Sequence, residues 1–258
     1  MTDPLFHIDG LDVAVPSRKL LDGIALGIPA GQVTALIGHN GSGKSTLLKV
    51  LARQVAASRG RVQFAGRDLA DWPARDFARR LAFLPQSPPP AEGMTVRELV
   101  ALGRFPWHGS LGRFGAQDRA AVAAAMQECA VAEFADRLVD TLSGGERQRV
   151  WLAMMVAQQA DTLLLDEPIS ALDIAHQVEV LALVRRMCHS QGRSAVVVLH
   201  EVNMTARFCD HVVALRSGRV IMQGGPATLM RPDALAAIYG LPMQVLTRND
   251  GAPVAVPD

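Results

Sequence analysis

The sequence predicts an α/β fold in which a parallel or mixed sheet is covered by helices. Two observations lead there. Short runs rich in Val, Ile, Leu and Ala alternate with longer segments of helical spacing, and those runs are apolar almost throughout, as strands buried on both faces must be. A third observation, a change of texture after Gln86, predicts a helical subdomain inserted into the sheet domain.

Taken in order, "VAV" at 13–15 and "RVQF" at 61–64 predict a smaller N-terminal antiparallel sheet. The buried strands are "VTALI" at 33–37, "LAFL" at 81–84, "TLLL" at 162–165, "AVVVL" at 195–199 and "VVAL" at 212–215. After Gln86, "SPPPAEG" is a stiff, extended connector, because each proline fixes φ and lacks an amide donor. Residues 95–138 read as helical, with Val122, Met126, Cys129 and Phe134 spaced to share one face. The last stretch opens with a short helix near 232–239 and ends Pro-rich. The whole, 1–258, is expected to be one domain. Residues 1–86 and 139–225 form its core, 87–138 the helical subdomain and 226–258 a C-terminal extension.

Bulk properties narrow the function. An apolar fraction of 49% excludes a disordered chain. The 26 basic and 25 acidic residues leave a net charge of +1, so no global field invites nucleic acid. Cys129, Cys188 and Cys209 are far apart and odd in number, which suits core fillers in a reducing compartment. "MTDPLFHIDG" lacks the basic and apolar regions of a signal peptide. No run approaches a membrane span, so any work at a membrane is expected to be that of a peripheral subunit.

"GHNGSGKST", residues 38–46, lies between a predicted strand and a predicted helix, the context that the phosphate-loop pattern G-x-x-x-x-G-K-[ST] requires. Gly38, Gly41 and Gly43 let the backbone curl so that amides of the loop, through His39, Asn40, Ser42 and Thr46, converge on phosphate oxygens at a helix N-terminus. Lys44 is expected to reach the β- and γ-phosphates, and the Ser45 hydroxyl to ligate Mg²⁺.

"LLLDEPISALD", residues 163–173, runs an apolar strand into two adjacent carboxylates. Open α/β sheets bind ligands at the carboxyl ends of their strands. There Asp166 would hold Mg²⁺, directly or through water, and Glu167 would orient and deprotonate the water attacking a γ-phosphate. Two acids capping a following helix near Ser170 are the plainer alternative.

"LSGGERQRV", residues 142–150, opens another helix with Ser143 and two glycines. Here the sequence resembles the ATP-binding-cassette (ABC) family, whose signature is LSGGQ or close to it, with Glu146 where glutamine is commoner. The resemblance covers about residues 5–225, with five motifs in the family's order, and implies a P-loop NTPase (RecA-like) core binding ATP and Mg²⁺. It also implies a head-to-tail homodimer in which Ser143, Gly144, Gly145 and Glu146 meet the γ-phosphate bound at the partner copy's Lys44. Gln86, ending "FLPQ", corresponds to the glutamine-loop residue that senses Mg²⁺ or the attacking water. His200, ending "VVVLH", corresponds to the switch histidine, and Asp173 to the loop that crosses the dimer interface. Each has a structural alternative: a turn residue, a strand-end hydrogen bonder and a helix cap.

Two departures stand out. The family usually stacks an aromatic ring on adenine, and Val13 falls at that point, so Arg18 is the candidate to cover the base with its guanidinium. Ile169 stands where threonine is usual after "DEP", and the sequence alone offers no reason.

Long coiled coils of the DNA-repair type are absent, as is the tandem arrangement of the translation type. A lone soluble cassette for iron-sulfur assembly is the runner-up. Residues 88–115, "PPPAEGMTVRELVALGRFPWHGSLGRFG", look very like those of cassettes that power import of iron chelates, ferric hydroxamate siderophores above all, with heme and cobalamin importers near relatives. That implies an ATPase at the cytoplasmic face of the inner membrane, bound to an integral membrane permease and, through it, served by a periplasmic or surface substrate-binding protein. Phe105, Pro106 and Trp107 either line the groove for the permease or fill the subdomain core.

Overall fold

The structure is a computed structural model describing residues 4–109, 112–170 and 172–258. Ser110 and Leu111 of the 88–115 segment and Ala171 of "SALD" lie outside the described residues. In chain order the strands are β1 Phe6–Val15, β2 Arg18–Ile28, β3 Val33–Ile37, β4 Arg59–Phe64, β5 Arg67–Asp68, β6 Leu81–Leu84, β7 Thr162–Leu165, β8 Ser194–Val198, β9 His211–Arg216, β10 Arg219–Gly224, β11 Met243–Thr247 and β12 Pro253–Pro257. The helices are α1 Lys44–Leu51, α2 Ala74–Arg80, α3 Val96–Leu102, α4 Phe105–His108, α5 Ala116–Glu128, α6 Gly144–Ala157, α7 Ile174–Gln191, α8 Val202–Phe208, α9 Pro226–Leu229 and α10 Pro232–Tyr239. They fall into two compact units, Met1–Asp71 with Val184–Asp258, and Trp72–Leu183.

The first unit carries two larger sheets and a two-stranded one. One is antiparallel at β1, in the order β2-β1-β4-β5. Phe6, Ile8, Leu11 and Val13 of β1 are buried while His7 and Asp9 are exposed, the alternation of a half-covered strand. Phe6 and Phe64 are register partners and stack at 4.9 Å between ring centroids. The other sheet runs β10-β9-β3-β8, with β3 parallel to β8 and β9, and β10 antiparallel to β9. Every residue of β3 and β8 is buried, which is why their sequences are apolar apart from Thr34 and Ser194. The mixed sheet and the N-terminal antiparallel sheet are those expected from sequence. The Pro-rich end is more ordered than its composition suggests: β11 and β12 form a hairpin, with Pro253 and Pro257 at the ends of β12, where a missing amide costs least.

In the second unit β6 and β7 pair in parallel, Leu81 with Thr162 and Leu84 with Leu165. The stretch 95–138 is not one helical run. Val122, Met126 and Cys129 are buried together as expected, but α5 ends at Glu128 and Ala130 turns left-handed at φ 53°. Phe134 therefore leaves that face and sits in a separate 3₁₀ turn, its ring under the Arg137 guanidinium at 5.3 Å. Arg104 and Asp118, both buried, close a salt bridge of 2.9 Å inside this unit, and Arg104 also donates to the Ala157 carbonyl. No described helix is long and apolar enough to cross a membrane.

Candidate active site

In the first unit, β3 delivers the chain to Gly38, Gly41 and Gly43, whose φ angles are 136°, 76° and 106°. A Cβ on Gly38 would lie 2.1 Å from the Leu215 carbonyl oxygen, and one on Gly43 would lie 2.7 Å from Leu21 Cδ2. Only glycine fits either place. Lys44 opens α1 and is 4% exposed, its Nζ donating to the carbonyls of Gly38 at 2.8 Å and His39 at 2.9 Å. The His39 carbonyl also accepts from Ser42 N at 3.1 Å, closing the loop on itself. Ser42 Oγ is buried in that loop with no hydrogen-bond partner among the described residues. His39 and Asn40 are exposed, Ser45 and Thr46 half-buried. The result is a glycine cradle ending in helix amides around a buried ammonium, a shape and charge suited to phosphate.

Two neighbours of the cradle follow from strand geometry. The Leu20 carbonyl oxygen would be 3.0 Å from a Cβ on Gly43, so β2 runs against the loop and exposed Arg18 lies two residues away along it. Val13 is 3% exposed inside its sheet and has no face to offer a base. Leu199 at the end of β8 donates to the Leu36 carbonyl at 3.1 Å, which sets the exposed His200 just beyond the end of a strand paired with the loop strand.

The second unit gathers the acids. Parallel pairing of β6 and β7 ends with Asp166 N donating to the Leu84 carbonyl at 2.9 Å. Gln86 and Glu167 leave these strand ends, and Gln86 Nε2 donates to Glu167 Oε2 at 2.8 Å. Asp166 is 1% exposed. Glu167 holds φ at 53°, a left-handed conformation that costs a non-glycine residue roughly 1–2 kcal/mol and tends to mark functional sites. Ile169, the departure left open by the sequence, is buried, and its carbonyl accepts from Gln177 Nε2 at 3.3 Å. An apolar side chain suits that setting, where a threonine hydroxyl would need a partner.

Ser143 caps α6. Its hydroxyl accepts from Glu146 N at 3.3 Å while Glu146 Oε2 accepts from Ser143 N at 2.7 Å, a reciprocal capping box. The Ser143 amide, then its hydroxyl, holds the Glu146 carboxyl below the usual range. Glutamate is thus at home where the family favours glutamine. Gly145 is fixed by a neighbour: a Cβ there would lie 2.4 Å from the ring of His176. His176 Nδ1 is 2.8 Å from Asp173 Oδ1, which also accepts from His176 N at 2.9 Å. Asp173 is therefore a cap of α7, as its plainer reading has it, and His176 packs on the signature helix tip. Sequence reasoning passed over His176. The signal was its spacing three residues after Asp173, a capping arrangement.

Trp107 is 36% exposed yet tied down within its unit. Its ring has the guanidiniums of Arg79 and Arg104 each 4.9 Å from its centroid, and its Nε1 donates to the Gln158 carbonyl at 2.7 Å. The Pro106 carbonyl accepts from Arg75 and Arg79. Phe105 is 56% exposed and is the more exposed of the two aromatic residues.

The profile of the ABC transporter family matches residues 21–170, which hold the phosphate loop, Gln86, the signature and both acids. The chain belongs to the ABC transporter family. The iron(3+)-hydroxamate import ATP-binding protein FhuC of Bacillus subtilis is 40% identical over 92% of this chain and 88% of its own. The hemin import ATP-binding protein HmuV of Streptomyces coelicolor is 45% identical over 96% of this chain and 88% of its own. Among solved structures, the ADP conformation of an ATP-binding cassette of an ABC transporter superposes with a TM-score of 0.83 over 92% of this chain and 97% of its own; at 21% identity it speaks for the fold alone. As a member of the family the cassette binds ATP and is an ATPase.

Proposed function

We propose that this cassette is the ATP-hydrolysing subunit of a bacterial importer for iron(III)-hydroxamate siderophores, working as a head-to-tail homodimer under an integral membrane permease at the cytoplasmic face of the membrane. The observation that carries the catalytic part is the Gln86 amide on the Glu167 carboxylate, which holds a base at the carboxyl ends of β6 and β7. The hydroxamate importer of Bacillus subtilis supports the cargo. A second reading, heme, is favoured by the 45% identity of the hemin importer of Streptomyces coelicolor.

The loop amides and Lys44 bind the β- and γ-phosphates, and Arg18 covers the adenine. Glu167 takes the proton from the attacking water, with Gln86 orienting that carboxylate and His200 contacting the γ-phosphate. Ser143, Gly144, Gly145 and Glu146 present the α6 tip to the γ-phosphate held by the partner copy, and Asp173 lies at the dimer seam. Ser45, Asp166 and Gln86 would hold Mg²⁺. Their oxygen atoms are the hard donors that Mg²⁺ takes, and Mg²⁺ draws its other ligands from phosphate and water. When bound it neutralises charge on the phosphate oxygens. Residues 87–138 form the subdomain that meets the permease, with Phe105 exposed for it, and the substrate-binding protein delivers cargo on the far side.

Glu167→Gln tests the reading. Nucleotide binding should persist and a closed dimer accumulate with Mg²⁺-ATP, while phosphate release falls by about 10²–10⁴. Continued turnover in this variant would remove Glu167 from the mechanism. Affinity purification from membranes should bring down an integral permease, and transport assays with radiolabelled ferric hydroxamate against heme decide the cargo.

A further inference from the structure

We infer that the C-terminal extension is a working part of the ATPase, with Tyr239 a positioning residue that braces both the phosphate loop and the segment carrying His200. The inference rests on the reading of that loop as the ATP site, and it adds a residue that the family motifs do not contain.

The extension is anchored before it is used. Leu235 and Ile238 of α10 are fully buried, and Arg216 Nη1 donates to the Ala237 carbonyl at 3.1 Å. The residue before Arg216 is Leu215, whose carbonyl is the wall that excludes a side chain from Gly38. The helix and the first glycine of the cradle therefore lean on the same end of β9.

From this anchor Tyr239 reaches in two directions. Its hydroxyl donates to the His200 carbonyl at 3.4 Å, on the peptide that presents the switch histidine. Its ring meets the His39 ring edge-on, with centroids 6.4 Å apart and planes at 70°. Gly240 ends the helix left-handed at φ 75°, and a Cβ there would lie 3.5 Å from His39 Nε2. So His39 is flanked by the last turn of α10. His39 matters because its carbonyl holds both Lys44 Nζ and Ser42 N; a shift of His39 moves the loop's ammonium. Burial, then the charge of Glu201, pushes the phenol up to about 12, so Tyr239 remains a hydrogen-bond donor across the physiological range.

The two arms separate by kinetics on the purified full chain. Tyr239→Phe removes the hydroxyl alone and should lower kcat about 2- to 5-fold, the loss of one long hydrogen bond, with KM for ATP unchanged. Tyr239→Ala also removes the brace on His39 and should raise KM about 5- to 10-fold. In a double-mutant cycle with His39→Ala, the two KM increases should fall well short of additive. If Tyr239→Phe and Tyr239→Ala both keep the wild-type kcat and KM, or if activity merely tracks a reduced folded fraction with KM unmoved, the inference is overturned. Should Tyr239→Ala not fold, the kcat of Tyr239→Phe decides alone. Lys44→Ala run alongside tells the two ideas apart: retained binding of a fluorescent ATP analogue in that variant would sink the loop reading, whereas lost binding there with inert Tyr239 variants sinks only this one.

Discussion

Gln86 and Glu167, 81 residues apart in sequence, share a hydrogen bond of 2.8 Å because each leaves the carboxyl end of one of two strands paired in parallel. The amide of Gln86 holds one oxygen of the proposed base. Replacing it by alanine removes that hydrogen bond without removing the charge of the carboxylate. Gln86→Ala should therefore lower kcat by about 10-fold, well short of the loss in Glu167→Gln, with ATP binding measured without Mg²⁺ unchanged within about 2-fold. Steady-state phosphate release and equilibrium nucleotide titration measure the two quantities. An unaltered kcat would mean that Glu167 needs no such orientation.

Gly145 has its size set by His176, whose ring would lie 2.4 Å from an added Cβ. Gly145→Ala must displace a ring that Asp173 holds by its Nδ1, and overpacking of this kind costs about 1–3 kcal/mol. A lowered melting temperature and reduced ATPase are expected. In Gly145→Ala/His176→Ala the clash is gone, so the double variant should melt higher than Gly145→Ala alone. If the penalties simply add, the ring is not what constrains the glycine.

What was legible in the sequence was whatever rests on local chemistry. The phosphate loop, the buried strands and the capping pattern at Ser143 are written in neighbouring residues, and β3, β8 and the α6 cap are formed as those residues imply. What escaped depends on partners far along the chain. The strand β2, with Asp22 and Gly23 interrupting its alternation, is held by pairing to β1. Ile169 made no sense until its burial was known. That Trp107 is held by Arg79, Arg104 and Gln158 could not be read from its neighbours in sequence. His176 and Tyr239 sit outside the recognised motifs, and only the fold brings them to Gly145 and His39.

The buried pair of Arg104 and Asp118 gives the protein an acid-sensitive joint. The Gly115 amide, together with the Arg104 guanidinium, holds the Asp118 carboxyl below its ordinary value near 3.8. A carboxyl whose folded pKa is depressed contributes stability that is present above the unfolded pKa and is lost as pH falls through the folded one. The wild-type melting temperature should therefore decline steeply below about pH 4. Asp118→Asn should destabilise at neutral pH by about 3–5 kcal/mol, because Arg104 is left buried without its counter-charge, and should flatten the acid limb of melting temperature against pH. An acid limb of unchanged slope would assign the acid sensitivity to other carboxyls.

Base recognition is the last point at which chain and family differ. Val13 is sealed inside its sheet at 3% exposure, whereas Arg18 is exposed two residues along β2 from the carbonyl that abuts Gly43. A guanidinium stacks on any purine, and it reads the ring face rather than the edge that distinguishes adenine from guanine. Stacking of this sort is worth about 1–2 kcal/mol, so Arg18→Ala should raise KM for ATP by about 5- to 30-fold, with kcat changed little. Since the contact is blind to the base edge, KM for GTP should rise by a similar factor. Side-by-side ATPase and GTPase titrations of wild type and Arg18→Ala make the comparison. A KM for ATP that does not move would place the adenine away from Arg18, and a rise confined to ATP would require an edge contact that a stacked guanidinium does not supply.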